Sequence, residues 1–332
     1  MLAVKVNGEM RTYPEGTAFL EIAKEFQPQY EDDILLVRVN GKLMELHKTL
    51  KKDSEVSFIT FKDPVGKKTY ERSAIFILMK AFYEIIPREK IKKVQIDFAL
   101  GSGIYGELVG DVELDAELLQ KVKAEMRSIV EQEIPIMKRN INTDDAVELF
   151  HNYGMLDKEQ LFKFRRASRV NIYSIEKFED YYYGYMVQNT GYVKYFDLIP
   201  YHKGFLLRLP RSRNPKEVVE EPFYEKLFHV LRDSYRWSDK LEVPNVAALN
   251  KLICDGKGSE LIMMQEALQE KNIGNIAEMA AKDPDKRIVM IAGPSSSGKT
   301  TFSHRLSTQL SVYGLKPHPI AADDYFVDRH LT

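Results

Sequence analysis

The chain has 332 residues, of which 44% are hydrophobic and 29% charged, and its formal net charge is -1. This length predicts two or three domains, and the near-neutral charge argues against binding of polyanions through overall charge. The single cysteine, Cys254, excludes an intramolecular disulfide and an all-cysteine zinc site, and with no signal-peptide core or long apolar run the sequence predicts a cytoplasmic protein without a membrane partner.

Residues 1–62 contain two hairpin signals around one short helix. Asn-Gly pairs at residues 7–8 and 40–41 separate alternating segments, and both residue types accept positive φ. A helix is predicted over "TAFLEIAKEF" and a further strand over "SEVSFITF". The order predicts a small β-grasp unit and resembles the TGS domain of threonyl-tRNA synthetases and some GTPases. No catalytic site is visible in it, which favours an adaptor role.

Residues 63–215 predict a second domain that mixes helices and strands. A long helix over "TYERSAIFILMKAFYEIIP" ends at Pro87, and glycine turns separate the two strands that follow. A second helix over "DAELLQKVKAEMRSIVEQEI" has an apolar stripe, and several strands come later. In this order, the segment from about Thr69 to Pro210 resembles the editing domain of threonyl-tRNA synthetases, which acts on mischarged tRNA.

The two motifs of that family are altered at four positions. The family has H-S-x-x-H where this chain has "RSAIF", so Arg72 and Phe76 stand in place of the histidines. The family has D-L-C-R-G-P-H where this chain has "DYYYGYM", so Tyr182 replaces the cysteine and Met186 the histidine. Arginine repels a cation, and phenylalanine and methionine supply no strong ligand. We therefore expect neither aminoacyl-tRNA hydrolysis nor a metal ion at this site.

The second motif keeps Asp180 and Gly184, and tyrosines surround them. Tyrosine is amphipathic and suits either the rim of a core or a surface that stacks on a ring. Two basic clusters, at residues 163–169 and 207–216, are candidate contacts for RNA phosphates. The alternatives are a solvated charged face for the first cluster and, because of its two prolines, an interdomain linker for the second.

Residues 216–284 predict a helical connector. Gly256 is a candidate C-cap, and the stretch after it predicts two short helices broken near residues 272–274. His229 and Cys254 lie 25 residues apart and have no partner cluster, so both are interpreted as structural.

Residues 285–332 contain the most specific motif. "GPSSSGKT", residues 293–300, satisfies G-x-x-x-x-G-K-[ST] and is called the phosphate loop below. The apolar run "IVMIA" before it predicts a buried parallel strand, and apolar residues at four-residue spacing after it predict a helix that ends at Gly314.

Such a loop predicts binding of ATP with Mg²⁺. Its backbone N–H groups and the following helix N-terminus point at phosphate, and Gly298 allows close approach. Lys299 would reach the β- and γ-phosphates, and the Thr300 hydroxyl would bind Mg²⁺. The predicted nucleotide-binding residues are Gly293, Ser295, Ser296, Ser297, Gly298, Lys299, Thr300 and Thr301.

A second strand is predicted over residues 318–322, and it ends at the pair Asp323-Asp324. A carboxylate in that position can hold Mg²⁺ or accept the proton of an incoming hydroxyl, although a turn or helix cap is the alternative. "GPSSSGKTTF" with "DDYFVDR" resembles the uridine kinase and phosphoribulokinase family. The resemblance implies that Asp323 is the catalytic aspartate beside Lys299, and that Tyr325 and Phe326 line the substrate side. Asp324 stands where that family often has a small residue, so either carboxylate is a candidate.

The implied reaction is phosphoryl transfer from ATP to the 5′-hydroxyl of a uridine- or cytidine-type nucleoside. The alternatives are a sugar-phosphate kinase of the phosphoribulokinase kind and a nucleotide-gated RNA-binding or regulatory protein; the oligomeric state stays open. Residues 285–332 are far fewer than the ~100–150 residues of a typical domain. We therefore expect the kinase domain to be incomplete, the chain to have little kinase activity by itself, and its last segment to be poorly ordered or packed on another surface.

Overall fold

The computed structural model describes residues 1–325 and 327. In this part of the chain the fold is α+β, with three sheets and nine α-helices, which confirms the mixed class predicted. The chain divides into two compact units, Met1–Lys240 and Leu241–Thr332, which are described separately. Among the described residues, no helix combines the length and the apolar character needed to cross a membrane.

The first unit begins with a five-stranded mixed sheet in the order β2-β1-β5-β3-β4. β1 runs antiparallel to β2 and parallel to β5, while β3 is antiparallel to both of its neighbours. The elements are β1 (Leu2–Val6), β2 (Glu9–Tyr13), α1 (Phe19–Phe26), β3 (Ile34–Val39), β4 (Lys42–Met44) and β5 (Ser54–Thr60).

Both predicted hairpins form at their Asn-Gly pairs. Asn7 and Gly8 have φ of 49° and 91°, and Asn40 and Gly41 have φ of 48° and 80°. Positive φ at both central residues is the geometry of a two-residue hairpin turn.

β3 contributes to two hydrophobic cores. Ile34, Val37 and Val39 lie in the core under the five-stranded sheet. Leu35, between them, lies instead in the core built around the long helix that follows, together with Phe61. The pairing of β3 with β5 shifts register between Ile34 and Leu36, which interrupts the regular alternation of side chains there, so β3 contributes to both cores.

The rest of the first unit consists of helices around two antiparallel sheets, ordered β10-β9-β8 and β11-β12-β7-β6. The elements are α2 (Pro64–Ile85), β6 (Ile91–Leu100), β7 (Gly103–Gly110), α3 (Ala116–Glu131), β8 (Ile136–Asn142), α4 (Thr143–Asn152), α5 (Leu156–Lys163), β9 (Arg169–Ile175), β10 (Phe178–Tyr181), β11 (Asp197–Tyr201), β12 (Gly204–Arg208) and α6 (Glu225–Lys240).

Three helices of this region, α2, α3 and α6, have features that their sequences explain. α2 ends at Ile85, two residues before Pro87, as predicted. α3 buries Leu119, Val122, Met126 and Ile129 along one face, which confirms its apolar stripe. α6 packs against the sheet through Phe228, and its Arg232 lies 2.9 Å from the Glu107 carboxylate on β7.

The second unit contains α7 (Val246–Cys254), α8 (Gly258–Ala281) and α9 (Lys299–Val312). Gly256 follows α7 with φ of 76°, the left-handed conformation expected of a C-cap glycine. The predicted break in α8 near residues 272–274 is wrong, because α8 is one helix. Ile273 and Ala277 of α8 are buried against Leu306 and Leu310 of α9. This packing offsets the ~1 kcal/mol that Gly274 costs within a helix.

The two strands predicted beside the phosphate loop do not form. Residues 288–292 and 318–321 have no regular structure, and residues 322–325 make one 3₁₀ turn. Ile288 is 82% exposed and Met290 91% exposed, so the apolar run is not buried. An isolated extended segment has no backbone partner, and no described residue pairs with either segment as a strand.

Candidate functional site

The phosphate loop leads directly into α9. Ser296 and Gly298 both have left-handed φ, of 58° and 82°, and Gly298 immediately precedes the first helical residue. A Cβ added at Gly293 would lie 2.7 Å from the Ser297 hydroxyl. A side chain at residue 293 would therefore displace only the rotatable Ser297 hydroxyl, whereas the glycine at Gly298 avoids the ~1–2 kcal/mol strain of a left-handed side-chain-bearing residue.

The loop leaves a set of donors without protein partners. Among the described residues, none accepts a hydrogen bond from the backbone N–H groups of residues 295–300. The first helical bond of α9 runs from the Phe302 N–H to the Gly298 carbonyl at 2.9 Å. Unpaired N–H groups at a helix N-terminus, together with the helix dipole, favour an anion such as phosphate. The residues present thus fit the phosphates of a nucleotide.

Lys299 is the first residue of α9 and its side chain turns back over the loop. Its ammonium donates a hydrogen bond to the Pro294 carbonyl at 2.7 Å. Thr300 is exposed on the same turn and is free of side-chain hydrogen bonds in the described part of the chain. The cation therefore lies at the mouth of the turn, where the sequence motif requires it.

The predicted acidic residues Asp323 and Asp324 lie on an exposed 3₁₀ turn. Among the described residues, neither forms an ion pair with Lys299. Tyr325 is 75% exposed, so it lines no closed pocket. Phe326 lies outside the described residues. The predicted nucleotide-binding residues lie together in one turn and the start of one helix, and their binding role, like that of the substrate side, stays a prediction.

The four altered motif positions come together in the first unit, in a group called the aromatic–arginine cluster: Arg72, Phe76, Tyr182 and Met186. Arg72 and Phe76 lie one turn apart on α2, and the rings of Phe76 and Tyr182 are 5.2 Å apart. The Arg72 guanidinium donates to the backbone carbonyl of Tyr185. Phe76 and Met186 are almost fully buried. The four motif positions therefore hold aromatic and apolar side chains and one cation, and none of them offers an imidazole or a thiolate.

The motif residues that this chain retains make structural contacts. Gly184 has φ of 123°, and a Cβ there would lie 2.6 Å from the guanidinium carbon of Arg72. Asp180 is buried and forms an ion pair with Lys158. Ser73 accepts the Val187 N–H at 3.1 Å and lies 3.4 Å from the Met186 sulfur. Burial raises the pKa of the Tyr182 phenol and lowers the pKa of Arg72.

A buried carboxylate, Glu45, follows β4 of the five-stranded sheet and lies beside the aromatic–arginine cluster. Glu45 accepts hydrogen bonds from the Tyr173 hydroxyl at 2.6 Å and from the Lys138 ammonium at 3.1 Å. The Met186 N–H points to the same carboxylate at 3.4 Å. Sequence reasoning missed Glu45. The available signal was its position in an apolar stretch, after Leu43 and Met44 and before Leu46, which indicates a buried carboxylate.

The two basic clusters are partly engaged with the protein itself. Arg165 donates to the Tyr181 hydroxyl at 2.7 Å, and Arg169 donates to the Asn140 side chain. The second cluster begins inside the buried strand β12, and Arg211 pairs with Glu221. Part of the predicted linker therefore lies in a core, and RNA binding stays a prediction.

Comparisons with known proteins find similarity to threonine–tRNA ligases. The chain is 30% identical over 201 residues to a threonine–tRNA ligase of Carboxydothermus hydrogenoformans, which covers 60% of this chain and 31% of the relative. It is 29% identical over 194 residues to that of Symbiobacterium thermophilum and to that of Thermotoga petrophila, in each case covering 58% of this chain and 29% of the relative. The chain thus spans under a third of the length of these relatives. No family model matches it.

Proposed function

We propose that the phosphate loop binds the triphosphate of ATP with Mg²⁺ and that the protein is an ATP-dependent kinase of uridine- or cytidine-type nucleosides. The observation that supports this most is the loop itself, in which the G-x-x-x-x-G-K-T motif coincides with two left-handed residues, a helix N-terminus and unpaired N–H groups. Each of these features favours a polyphosphate.

The described residues have distinct parts in this proposal. The backbone N–H groups of residues 295–300 would hold the phosphates in place, and Lys299 would exchange its bond to the Pro294 carbonyl for phosphate oxygens. The Thr300 hydroxyl would hold Mg²⁺, which neutralises charge on the phosphates when bound. Asp323 or Asp324 would accept the proton of the nucleoside hydroxyl.

Nucleotide binding is tested by calorimetric titration of the chain with ATP and Mg²⁺. We expect saturable binding that Lys299→Ala weakens by about tenfold or more, since a charge-assisted contact to phosphate is lost. Lys316→Ala is the matched control, because it removes an exposed lysine of the same unit that lies outside the loop. Equal affinities of the two variants would contradict the proposal.

The kinase step is tested with radiolabelled ATP and three acceptors, namely uridine, cytidine and ribulose 5-phosphate. Transfer to uridine or cytidine supports the nucleoside kinase, and transfer to the sugar phosphate alone supports the phosphoribulokinase-like alternative. Because we expect this chain to have little kinase activity by itself, ATP binding without transfer is compatible with both proposals. A salt-dependent RNA affinity that survives Lys299→Ala, together with no turnover of any acceptor, would favour a nucleotide-gated RNA-binding or regulatory protein.

For the first unit, we propose that residues 1–62 and 63–215 derive from the TGS and editing domains of a threonyl-tRNA synthetase and that the hydrolytic chemistry is lost. The similarity to threonine–tRNA ligases over about 60% of the chain supports the origin. The aromatic–arginine cluster supports the loss, because no imidazole or thiolate remains at the four motif positions.

A further inference from the structure

Two histidines and a glutamate that are distant in sequence meet on the surface of the first unit. His202 lies in the two-residue turn between β11 and β12, while Glu225 is the first residue of α6 and His229 lies one turn further along that helix. One side-chain nitrogen or oxygen from each residue lies within 4.8 Å of the other two. From this geometry we propose that His202, Glu225 and His229 bind a divalent transition-metal ion, with Zn²⁺ as the best match.

The distances suit a tetrahedral ion. His202 Nε2 lies 3.0 Å from Glu225 Oε2, and His229 Nε2 lies 3.7 Å from the same oxygen. Ligands about 2.0–2.1 Å from a tetrahedral zinc are roughly 3.3 Å from one another. These two separations fall on either side of that value, and the nitrogens of the two imidazoles lie within 4.8 Å of each other.

Neighbouring groups hold the ligands in orientation. The His202 ring stacks on Phe228 with centroids 4.1 Å apart and planes at 7°. The Tyr201 hydroxyl lies 3.4 Å from Oε1 of Glu225, which leaves Oε2 directed at the two imidazoles. Such contacts behind the ligands fix their rotamers and strengthen metal binding. His202 also keeps a left-handed φ of 51°, a conformation that a tight hairpin turn imposes.

The ligand set indicates the class of metal. Two imidazoles and one carboxylate suit zinc and its neighbours in the first transition row, whereas Mg²⁺ and Ca²⁺ prefer oxygen alone. All three residues are exposed, so the fourth position is open to water or to a small ligand. A bound ion would connect the β11–β12 hairpin to the first turns of α6, which are otherwise joined near this point by Phe228 packing.

The test is a calorimetric titration of the untagged, nucleotide-free chain with ZnCl₂, repeated with Co²⁺ to record visible absorption. We expect one bound ion per chain, a cobalt spectrum of four-coordinate intensity, and a higher thermal midpoint with zinc, since an ion that binds only the folded state stabilises it. His229→Ala and Glu225→Gln should each weaken binding by about tenfold or more. His202→Asn, which tolerates the left-handed turn, should do the same.

Two controls separate this site from incidental binding. His151→Ala removes an exposed histidine that also lies 3.0 Å from a glutamate, Glu159, but belongs to no group of three possible ligands among the described residues. Cys254→Ser removes the single, exposed thiol. Neither change should affect the affinity. The proposal is overturned if zinc does not saturate at one site, if His229→Ala binds as tightly as the parent chain, or if His151→Ala or Cys254→Ser abolishes binding.

Discussion

Glu45 gives the sharpest test of how residues 1–62 are attached to the region that follows. Its side chain is 4% exposed, and its partners Tyr173 and Lys138 both belong to the following region. Replacing Glu45 by alanine removes the acceptor of a charge-assisted bond and leaves the Lys138 ammonium, 15% exposed, without its counterion.

The expected cost follows from these contacts. A hydrogen bond to a charged group contributes about 1.5–3 kcal/mol, and breaking a buried ion pair costs about 3–5 kcal/mol. Lys138 retains some access to water, so we expect Glu45→Ala to lower the free energy of unfolding by about 3 kcal/mol. Glu45→Gln should cost about half as much, because its amide oxygen can still accept from Tyr173.

The assay is urea denaturation followed by far-ultraviolet circular dichroism. Glu55→Ala is the control, since Glu55 pairs with Lys5 at 3.4 Å in the same sheet but is 72% exposed. An exposed pair of this kind contributes about 0–1 kcal/mol. Adding Lys138→Met to Glu45→Ala should recover part of the loss, because it removes the unpaired charge. The reasoning is refuted if Glu45→Ala destabilises the protein no more than Glu55→Ala.

Two further predictions concern the same unit. Burial lowers the pKa of His47, so the unfolded chain takes up a proton before the folded chain does as the pH falls below about 6.5, and acidification reduces the stability that neutral His47 contributes. The stability advantage of the parent chain over His47→Gln should therefore shrink between pH 7.5 and 5.5. A constant difference would show that His47 does not titrate in this way. A mischarged threonine tRNA should be deacylated no faster with this chain than in buffer, with an intact threonine–tRNA ligase as positive control. Hydrolysis that Arg72→Ala abolishes would contradict the proposed loss of editing.

Local sequence signals predicted the elements whose geometry is decided locally. The Asn-Gly turns, the end of α2 before Pro87 and the helix that starts at Lys299 depend on backbone preferences of neighbouring residues. The turn before that helix follows from the same short segment, and its binding of phosphate stays a prediction.

The elements decided by distant contacts were predicted less well. An apolar run such as residues 288–292 becomes a strand only beside a partner strand, which the described residues do not supply. The predicted break in α8 failed because packing of Ile273 against α9 overrides the preference of Gly274.

Side chains that meet through the fold were the hardest to predict. His229 was interpreted as structural, although Glu225, four residues earlier on the same helix, was an available signal for a shared ion; only the fold brings His202 to this pair. Glu45 and Tyr173 likewise meet only in three dimensions. The sequence pattern of one segment does not indicate which distant side chain will contact it in the fold.

The double burial of β3 bears on how this protein can be divided. A cut after residue 62 separates Leu35 and Phe61 from the core they share with α2, and uncovers the Glu45 carboxylate. An expression fragment that ends there would expose the Leu35 and Phe61 side chains to water, because the core that covers them would be absent. Residues 1–62 and the region that follows must therefore be cloned, swapped or inherited together, because the physical border between them runs through a strand and not through the loop after it.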